Sequence, residues 1–127
     1  MNVLIYGNTT DKELIIQHMK AQACMAFRLI NYLQTDDYDT YFNLLRTQES
    51  ELIFVTMDNA AGMEGVIAAK NLHPDTPVVW LTNDKNFVAQ SYRLGADYFA
   101  VKPINDKILS LALGRCRKRE EAVYEKR

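Results

Sequence analysis

Polar or charged residues stand directly after several short apolar runs in this chain of 127 residues. Lys102 follows one such run, and Asp58 lies shortly after Val55, the last residue of another. Because an ammonium group and a carboxylate attract each other, we expect Lys102 either to pair with Asp58 or to point to solvent. The segments that follow the runs are Gly7-Asn8, Thr56-Met57-Asp58, Thr82-Asn83 and Lys102-Pro103.

The loop Gly7-Asn8-Thr9-Thr10 follows an apolar run and opens a helical pattern. Such a loop can bind phosphate through its backbone N–H groups and hydroxyls. A flavin- or nucleotide-binding protein of flavodoxin-like fold is therefore one alternative. However, Asp11 would repel the anion, and a Thr or Asp before a helix is more simply an N-cap.

The apolar runs are short, continuous and rich in β-branched or large side chains, which is typical of strands buried on both faces of a parallel sheet. Segments with helical spacing lie between them, and the alternation repeats along the chain. This order predicts a doubly wound α/β fold with a five-stranded parallel sheet. The strands are predicted at residues 3–6, 27–33, 52–55, 78–81 and 98–101.

Capping residues mark several of the helical segments. Either Asp36 or Asp37 can cap the second helix, and Gly95 is predicted to cap the C-terminus of the fourth. The helices are predicted at residues 11–23, from Asp36 or Asp37 through Leu45, at 63–72, at 84–94, and from Ile104 onward.

In doubly wound sheets, ligands bind at the carboxyl ends of the strands, where the strand order reverses. The polar segments that follow the predicted strands should therefore come together at one edge of the sheet. The topology alone predicts a binding site there.

Composition places the chain among single-core globular domains, with 48% apolar and 24% charged residues. The net charge of −1 gives no overall attraction to nucleic acid or anionic lipid. Residues 115–127 carry six basic and three acidic side chains, so their net charge is +3 and the rest of the chain carries −4. We interpret residues 118–127 as a charged helix extension or a linker toward a further domain.

No apolar stretch approaches the ~20 residues that a membrane-spanning helix needs, and the start of the chain lacks the pattern of a signal peptide. Cys24 and Cys116 lack the spacing of metal ligands, and we expect idle thiols, although the sequence leaves a disulfide open. These features predict a cytoplasmic protein that contacts no membrane.

The segment LGADYFAVKP at residues 94–103 follows PVVWLT at residues 77–82, and together they resemble the receiver domain of two-component response regulators. The resemblance covers about residues 1–117 and implies a flavodoxin-like fold with strand order 2-1-3-4-5. The short spacing from Thr82 to Lys102 looks like that of receivers attached to LytTR-type DNA-binding domains. The resemblance therefore implies a regulatory domain and not an enzyme.

The same resemblance assigns roles to individual residues. Thr82 matches the hydroxyl that hydrogen-bonds a phosphoryl group, and Lys102 matches the lysine that forms a salt bridge with it. Phe99 matches the aromatic residue whose rotamer follows activation. Pro103 matches the proline that receivers usually hold in a cis peptide bond.

The metal-binding half of the receiver pattern is missing. Receivers place an acidic pair after the first strand, where it holds a divalent metal. The matching residues here are Gly7 and Asn8, and neither carries a charge. The resemblance therefore implies no metal site, with Mg²⁺ relevant only if Asp58 is functional.

The phosphoacceptor position also departs from the pattern. Counting from Glu51 places Thr56 there, whereas counting back from residues 62–65 places Met57 there, so the loop contains one extra residue. Neither side chain can form an acyl phosphate. Asp58 is the nearest carboxylate, and a local bulge would be needed to bring it into the pocket.

The leading hypothesis is a pseudo-receiver that works by protein–protein contact and controls an output such as transcription. A receiver shifts between two pre-existing conformations, and in a pseudo-receiver an input other than phosphate then sets the populations of the two. We expect a weak or moderate homodimer through the fourth helix, fifth strand and fifth helix, and no nucleic-acid contact by this domain. The predicted dimer face includes Phe87, Gln90, Tyr98, Asp106 and Arg115.

The second hypothesis retains phosphotransfer. Asp58 would accept phosphate from a histidine kinase or a small donor, and Lys102 and Thr82 would recognise the product. A carboxylate within hydrogen-bond reach of the Lys102 ammonium would favour this hypothesis.

Overall fold

The computed structural model of the chain describes residues 1–22 and 29–125, with residues 118–125 as backbone only. The strands are β1 Asn2–Tyr6, β2 Asn31–Thr35, β3 Leu52–Val55, β4 Val78–Thr82 and β5 Tyr98–Val101. The helices are α1 Thr9–Ala21, α2 Tyr38–Thr47, α3 Asn59–Leu72, α4 Val88–Leu94 and α5 Asp106–Glu125. The strands form one parallel sheet in the order β2-β1-β3-β4-β5, which confirms the predicted fold class and strand order.

Each face of the sheet carries its own apolar layer, because successive side chains of a strand point to opposite faces. Val3 and Ile5 of β1 pack in the layer with residues of α1 and α5. Leu4 and Tyr6 pack in the layer with residues of α2 and α3. The central strands are buried on both sides, and this double burial explains why their sequences are continuously apolar.

The second strand is displaced from its predicted position. It begins at Asn31 and ends at Thr35, so the predicted bounds of 27–33 are wrong. β2 pairs with β1 alone at the edge of the sheet, and its side chains are exposed or half-buried. An edge strand needs no continuous apolar run, and for this reason the apolar residues at 27–33 do not mark the position of β2. Residues 23–28, which include Cys24 and the ends of two predicted elements, lie outside the described residues.

The first two helices begin at side-chain caps. The Asn8 side chain accepts a hydrogen bond from the Asp11 N–H at 2.8 Å, so α1 begins at Thr9, earlier than predicted. Asp37 is the cap of α2 and accepts hydrogen bonds from the hydroxyl and the N–H of Thr40. These two bonds, the hydroxyl's first, hold the pKa of the Asp37 carboxyl below its usual range.

The later helices also differ from the prediction at their beginnings. α3 begins at Asn59 and not at residue 63. A single 3-10 turn, Lys85–Phe87, precedes α4, and Gly95 ends α4 in the left-handed conformation at φ 75°, as predicted. α5 begins at Asp106 and continues without a break across the predicted boundary at residue 117. No helix in the described part of the chain is long and apolar enough to cross a membrane.

A tyrosine cluster joins β1, α2 and α3. The rings of Tyr6 and Tyr41 stack with their centroids 4.2 Å apart, and the Tyr41 hydroxyl donates a hydrogen bond to the Gly65 carbonyl at 2.7 Å. Burial raises the pKa of both phenols. The buried hydrogen bond ties α2 to α3 across the face of the sheet.

Replacement of Tyr41 by Phe is expected to lower the free energy of unfolding by about 1 kcal/mol, because it removes this hydrogen bond and keeps the ring. Urea unfolding followed by circular dichroism measures the change. Tyr92→Phe is the control, since the Tyr92 side chain is exposed. Equal stability of the two variants would contradict the assigned role of the hydroxyl.

Candidate functional site

The segments that follow β1, β3, β4 and β5 meet at one edge of the sheet, as the topology predicts. The Lys102 N–H donates to the Thr82 carbonyl at 2.8 Å, and the Thr56 N–H donates to the Tyr6 carbonyl at 2.8 Å. These backbone bonds fix the ends of neighbouring strands against each other. They bring Lys102 beside the end of β4 and Thr56 beside the end of β1.

The Lys102 ammonium is surrounded by three oxygen atoms of its own chain. Its Nζ lies 3.1 Å from Asp11 Oδ2, 3.1 Å from Asp58 Oδ1 and 2.7 Å from the Thr56 carbonyl oxygen. The ammonium group donates hydrogen bonds to Asp11 Oδ2 and to the Thr56 carbonyl, and it forms an ion pair with Asp58. Of the two alternatives from the sequence, pairing with Asp58 is the one that occurs, and Asp11 is an additional partner.

Asp58 reaches the site from the loop between β3 and α3. It occupies the N-cap position of α3, yet its side chain does not cap the helix. Instead, Asp58 Oδ1 accepts a hydrogen bond from the Asn83 N–H at 3.1 Å. Asn59 follows with φ 61°, a left-handed conformation that Asn tolerates better than most residues. This turn lets Asp58 face Lys102 just before the helix begins.

Thr56 faces the position of the missing acidic pair. A Cβ atom placed on Gly7 would lie 1.8 Å from Thr56 Oγ1, so no side chain fits at residue 7 without rearrangement. Met57 instead packs in the apolar layer with Trp80. Of the two positions that counting suggested for the acceptor, Thr56 is therefore the one beside the first strand. Its buried Oγ1 has no hydrogen-bond partner among the described residues.

Thr82 is buried at the end of β4. Its Oγ1 accepts a hydrogen bond from the Asp84 N–H at 3.3 Å, which stabilises the turn before α4. The side chain thus has a local structural contact at the position where the resemblance implies phosphate recognition.

Phe99 and Pro103 flank Lys102 on either side. The Phe99 ring packs edge-on against Trp80 with centroids 5.3 Å apart, and Phe99 is half-buried. The peptide bond between Lys102 and Pro103 is cis, as the resemblance implies. Phe99 therefore lies inward against β4 in this structure.

Receiver-like folds imply a magnesium ion, and the residues here do not fit one beside Lys102. Gly7 has no side chain, and the Asn8 side chain caps α1. The nearby carboxylates already contact an ammonium group. In the described ranges, no group of three or more His, Cys, Asp or Glu side chains is arranged to hold a metal.

The loop at residues 7–10 serves as a helix cap. The Asn8 oxygen accepts the Asp11 N–H, and the Asp11 carboxylate turns toward Lys102. A carboxylate at the start of this helix would repel a bound phosphate. The geometry therefore favours the capping interpretation over the flavodoxin-like one.

Asp97, in the Gly-Ala-Asp segment, has a structural role apart from the site. Its Oδ2 accepts a hydrogen bond from the Val78 N–H at 2.8 Å and lies 3.0 Å from Lys70 Nζ. These contacts fix the start of β5 to β4 and to α3.

Sequence reasoning missed Asp11 as a site residue. Asp11 is the acidic residue in the first turn of α1, and its side chain is largely buried against Lys102. An acidic residue near a helix N-terminus has an ordinary explanation in the helix dipole, so the local pattern gave no reason to look for a second role.

No protein-family model matches the chain, and no curated protein matches it significantly. Solved structures do. A CheY-like response regulator receiver domain protein from Methanospirillum hungatei JF-1 superposes with a TM-score of 0.71 at 15% identity, covering 95% of this chain and 96% of that one. The receiver domain of NtrX from Brucella abortus gives 0.70 at 18% identity, covering 91% and 97%.

HP1043, an orphan response regulator of Helicobacter pylori, superposes with a TM-score of 0.70 at 15% identity, covering 91% of this chain and 96% of that one. Identities this low establish the fold alone. The strand order, the nearly complete coverage of both chains and the TM-scores all indicate the same fold. The chain therefore has the fold of the CheY-like receiver domains of response regulators.

Proposed function

We propose that this chain is a receiver-type regulatory domain of two-component signalling whose input is not phosphorylation. The observation that carries the proposal is the position of the Lys102 ammonium, which contacts two carboxylates of its own chain. The fold supports the class of protein. The domain acts by protein–protein contact in the cytoplasm and is not an enzyme.

The charges at the site support the loss of phosphotransfer. Transfer of a phosphoryl group requires positive charge near its oxygens, which a metal ion and a lysine supply together. Here Asp11, Asp58 and Lys102 give a formal charge of −1, and Gly7 and Asn8 add no metal-binding carboxylate. A phosphate donor would approach a site that is negative overall.

Intact-mass measurement after incubation with acetyl phosphate and MgCl₂ tests the proposal. We expect no gain of a phosphoryl group in the native chain. Asp58→Asn is the matched control. A gain in the native chain that disappears in Asp58→Asn would overturn phosphorylation independence.

That outcome would establish the second candidate function, a receiver that accepts phosphate on Asp58. One observation favours it: Asp58 Oδ1 lies 3.1 Å from Lys102 Nζ, and the Asp58 side chain is 38% exposed. A donor could therefore reach this carboxylate next to the lysine. In this case a histidine kinase would be the natural partner, and Mg²⁺ the required ion.

The proposed interaction surface is the α4–β5–α5 face, which presents exposed apolar side chains. Burial of such a patch against a second copy would remove apolar surface from water. Asp106, which the expected face includes, has an exposed side chain whose carboxylate lies 2.8 Å from His18 Nδ1 of α1. The exposed apolar residues of the face are Val88, Tyr92, Val101 and Leu111.

Sedimentation of the native chain at high concentration is expected to show a homodimer, and Tyr92→Glu is expected to shift it to monomer. The introduced charge would have to be desolvated in the interface. Leu14→Glu on α1 is the control, because Leu14 is also exposed and apolar. A strictly monomeric native chain, or equal effects of both variants, would contradict the assigned face.

The output in this proposal is a regulated partner such as a LytTR-type DNA-binding domain, through which the receiver controls transcription. The continuous helix α5, which runs to Glu125, supports a rigid connection from the receiver domain at residues 1–117 into the segment that follows. This domain itself contacts no nucleic acid in the proposal.

A further inference from the structure

The oxygen atoms around Lys102 are the kind that a hard divalent cation prefers. Carboxylate and carbonyl oxygens are the usual protein ligands of Mg²⁺ and Ca²⁺. Asp11 supplies a carboxylate from α1, Asp58 supplies another from the loop before α3, and Thr56 supplies a carbonyl from the end of β3. Three separate elements thus converge on one positive group.

We propose that the Lys102 ammonium is the resident cation of this pocket and takes the place of a divalent ion there. Asp11 is the positioning residue that holds it. This inference deepens the proposed function and rests on it, since a pocket filled by its own lysine is the reason why no metal is recruited. Substitution of Lys102 should therefore expose a cation site that the native chain conceals.

The lysine is well placed to exclude a competing ion. Its backbone N–H is bound to the Thr82 carbonyl at 2.8 Å, and its side chain is 18% exposed. An ammonium tethered to the same chain has a high effective concentration at the pocket. A divalent ion would have to displace three contacts and meet a positive charge at short range.

Asp11 compensates for what Gly7 and Asn8 lack. It lies one helical turn into the chain after the lost acidic pair and points its carboxylate back to the same pocket. Asp58 alone would leave Lys102 with a half-exposed partner. Asp11 is the more buried of the two carboxylates, so it fixes the position of the ammonium group.

Lys70 provides a matched comparison within the chain. It forms an ion pair with Asp97 at 3.0 Å, and both side chains are similarly buried. That pair contains a single carboxylate, whose oxygen also accepts the Val78 N–H. Lys70 Nζ also lies 3.4 Å from the Thr76 carbonyl oxygen. Loss of Lys70 would therefore leave one carboxylate, partly satisfied by the backbone, and one carbonyl, whereas loss of Lys102 would leave two carboxylates and a carbonyl.

Thermal unfolding of Lys102→Met in increasing MgCl₂ or MnCl₂ tests the proposal. The variant is expected to be less stable than the native chain and to gain about 5 °C in Tm at a cation concentration ten times the dissociation constant. The native chain and Lys70→Met are expected to gain nothing comparable. Adding Asp11→Asn to Lys102→Met is expected to abolish the gain.

Absence of a cation-dependent gain in Lys102→Met, or an equal gain in Lys70→Met, would overturn the proposal. If Lys102→Met folds only when the cation is present, that result supports the proposal. Lys102→Gln is a second variant for the same measurement. In the native chain, Mn²⁺ should not selectively broaden the amide signals near Asp58, and selective broadening would overturn it. Phosphorylation of the native chain, measured by intact mass, would overturn the proposed function and this inference with it. Loss of the cation-dependent gain in Lys102→Met, measured by thermal unfolding, would overturn this inference and leave the proposed function standing, so the two failures are distinguishable.

Discussion

Trp80→Ala is expected to lower the free energy of unfolding by about 3–5 kcal/mol, the largest single effect that the structure suggests. Trp80 is completely buried in β4. Its ring contacts Phe87 and Phe99, with centroid distances of 5.4 and 5.3 Å. Removal of the indole leaves a cavity beside Phe87 and Phe99 that these rings can fill only in part.

Urea unfolding followed by far-UV circular dichroism measures this loss without depending on the tryptophan signal. Tyr92→Ala is the control, since Tyr92 is 83% exposed and its replacement should change stability by less than about 0.5 kcal/mol. Domains of this size have only about 5–15 kcal/mol of stability, so Trp80→Ala should be marginally folded. A loss below about 1 kcal/mol would show that the layer repacks around the gap.

Gly7→Ala is expected to lower the free energy of unfolding by about 1–3 kcal/mol, because the added methyl group overfills the contact between β1 and β3. The new Cβ would lie 1.8 Å from Thr56 Oγ1 and 3.2 Å from Thr56 Cβ. Thr56 is 1% exposed, so its side chain has little room to move away. The same obstacle faces any attempt to restore an aspartate at residue 7.

A double-mutant cycle separates this clash from a general effect of the substitution. Adding Thr56→Ala should recover part of the stability lost in Gly7→Ala, since it removes Oγ1. Gly114→Ala is the matched control: a Cβ there meets nothing within 4 Å, and alanine should stabilise the interior of α5 by about 0.5–1 kcal/mol. Strict additivity of the Gly7 and Thr56 changes would contradict the assigned contact.

The sequence predicted the fold most reliably where burial leaves a strong local pattern. β3 lies at the predicted residues, and β1 and β4 differ by one residue at an end. β5 also lies at the predicted residues, although it is an edge strand whose side chains are half-buried or exposed. The edge strand β2 was misplaced, because half of its side chains need no apolar character. The start of α3 was missed since Asn59 enters the helix from a left-handed turn, which has no clear sequence signal.

The site was predicted in its location but not in its contacts. Topology alone placed Thr56, Asp58, Thr82 and Lys102 at one edge of the sheet, and the resemblance supplied the cis bond at Pro103. The choice between a paired and an exposed Lys102 depended on tertiary distances that a sequence does not contain. The roles of Thr82 and Phe99 in signalling stay predictions, as does cofactor independence.

The contact between Lys102 and Asp11 joins residues 91 positions apart. During synthesis, both aspartates leave the ribosome well before the lysine does, because β5 is the last strand of the sheet. The nascent chain therefore carries two uncompensated negative charges at this edge until β5 docks beside β4. Compensation of one of these two charges is consequently a late event, because it requires β5 to be docked, and only α5 follows β5 in the chain.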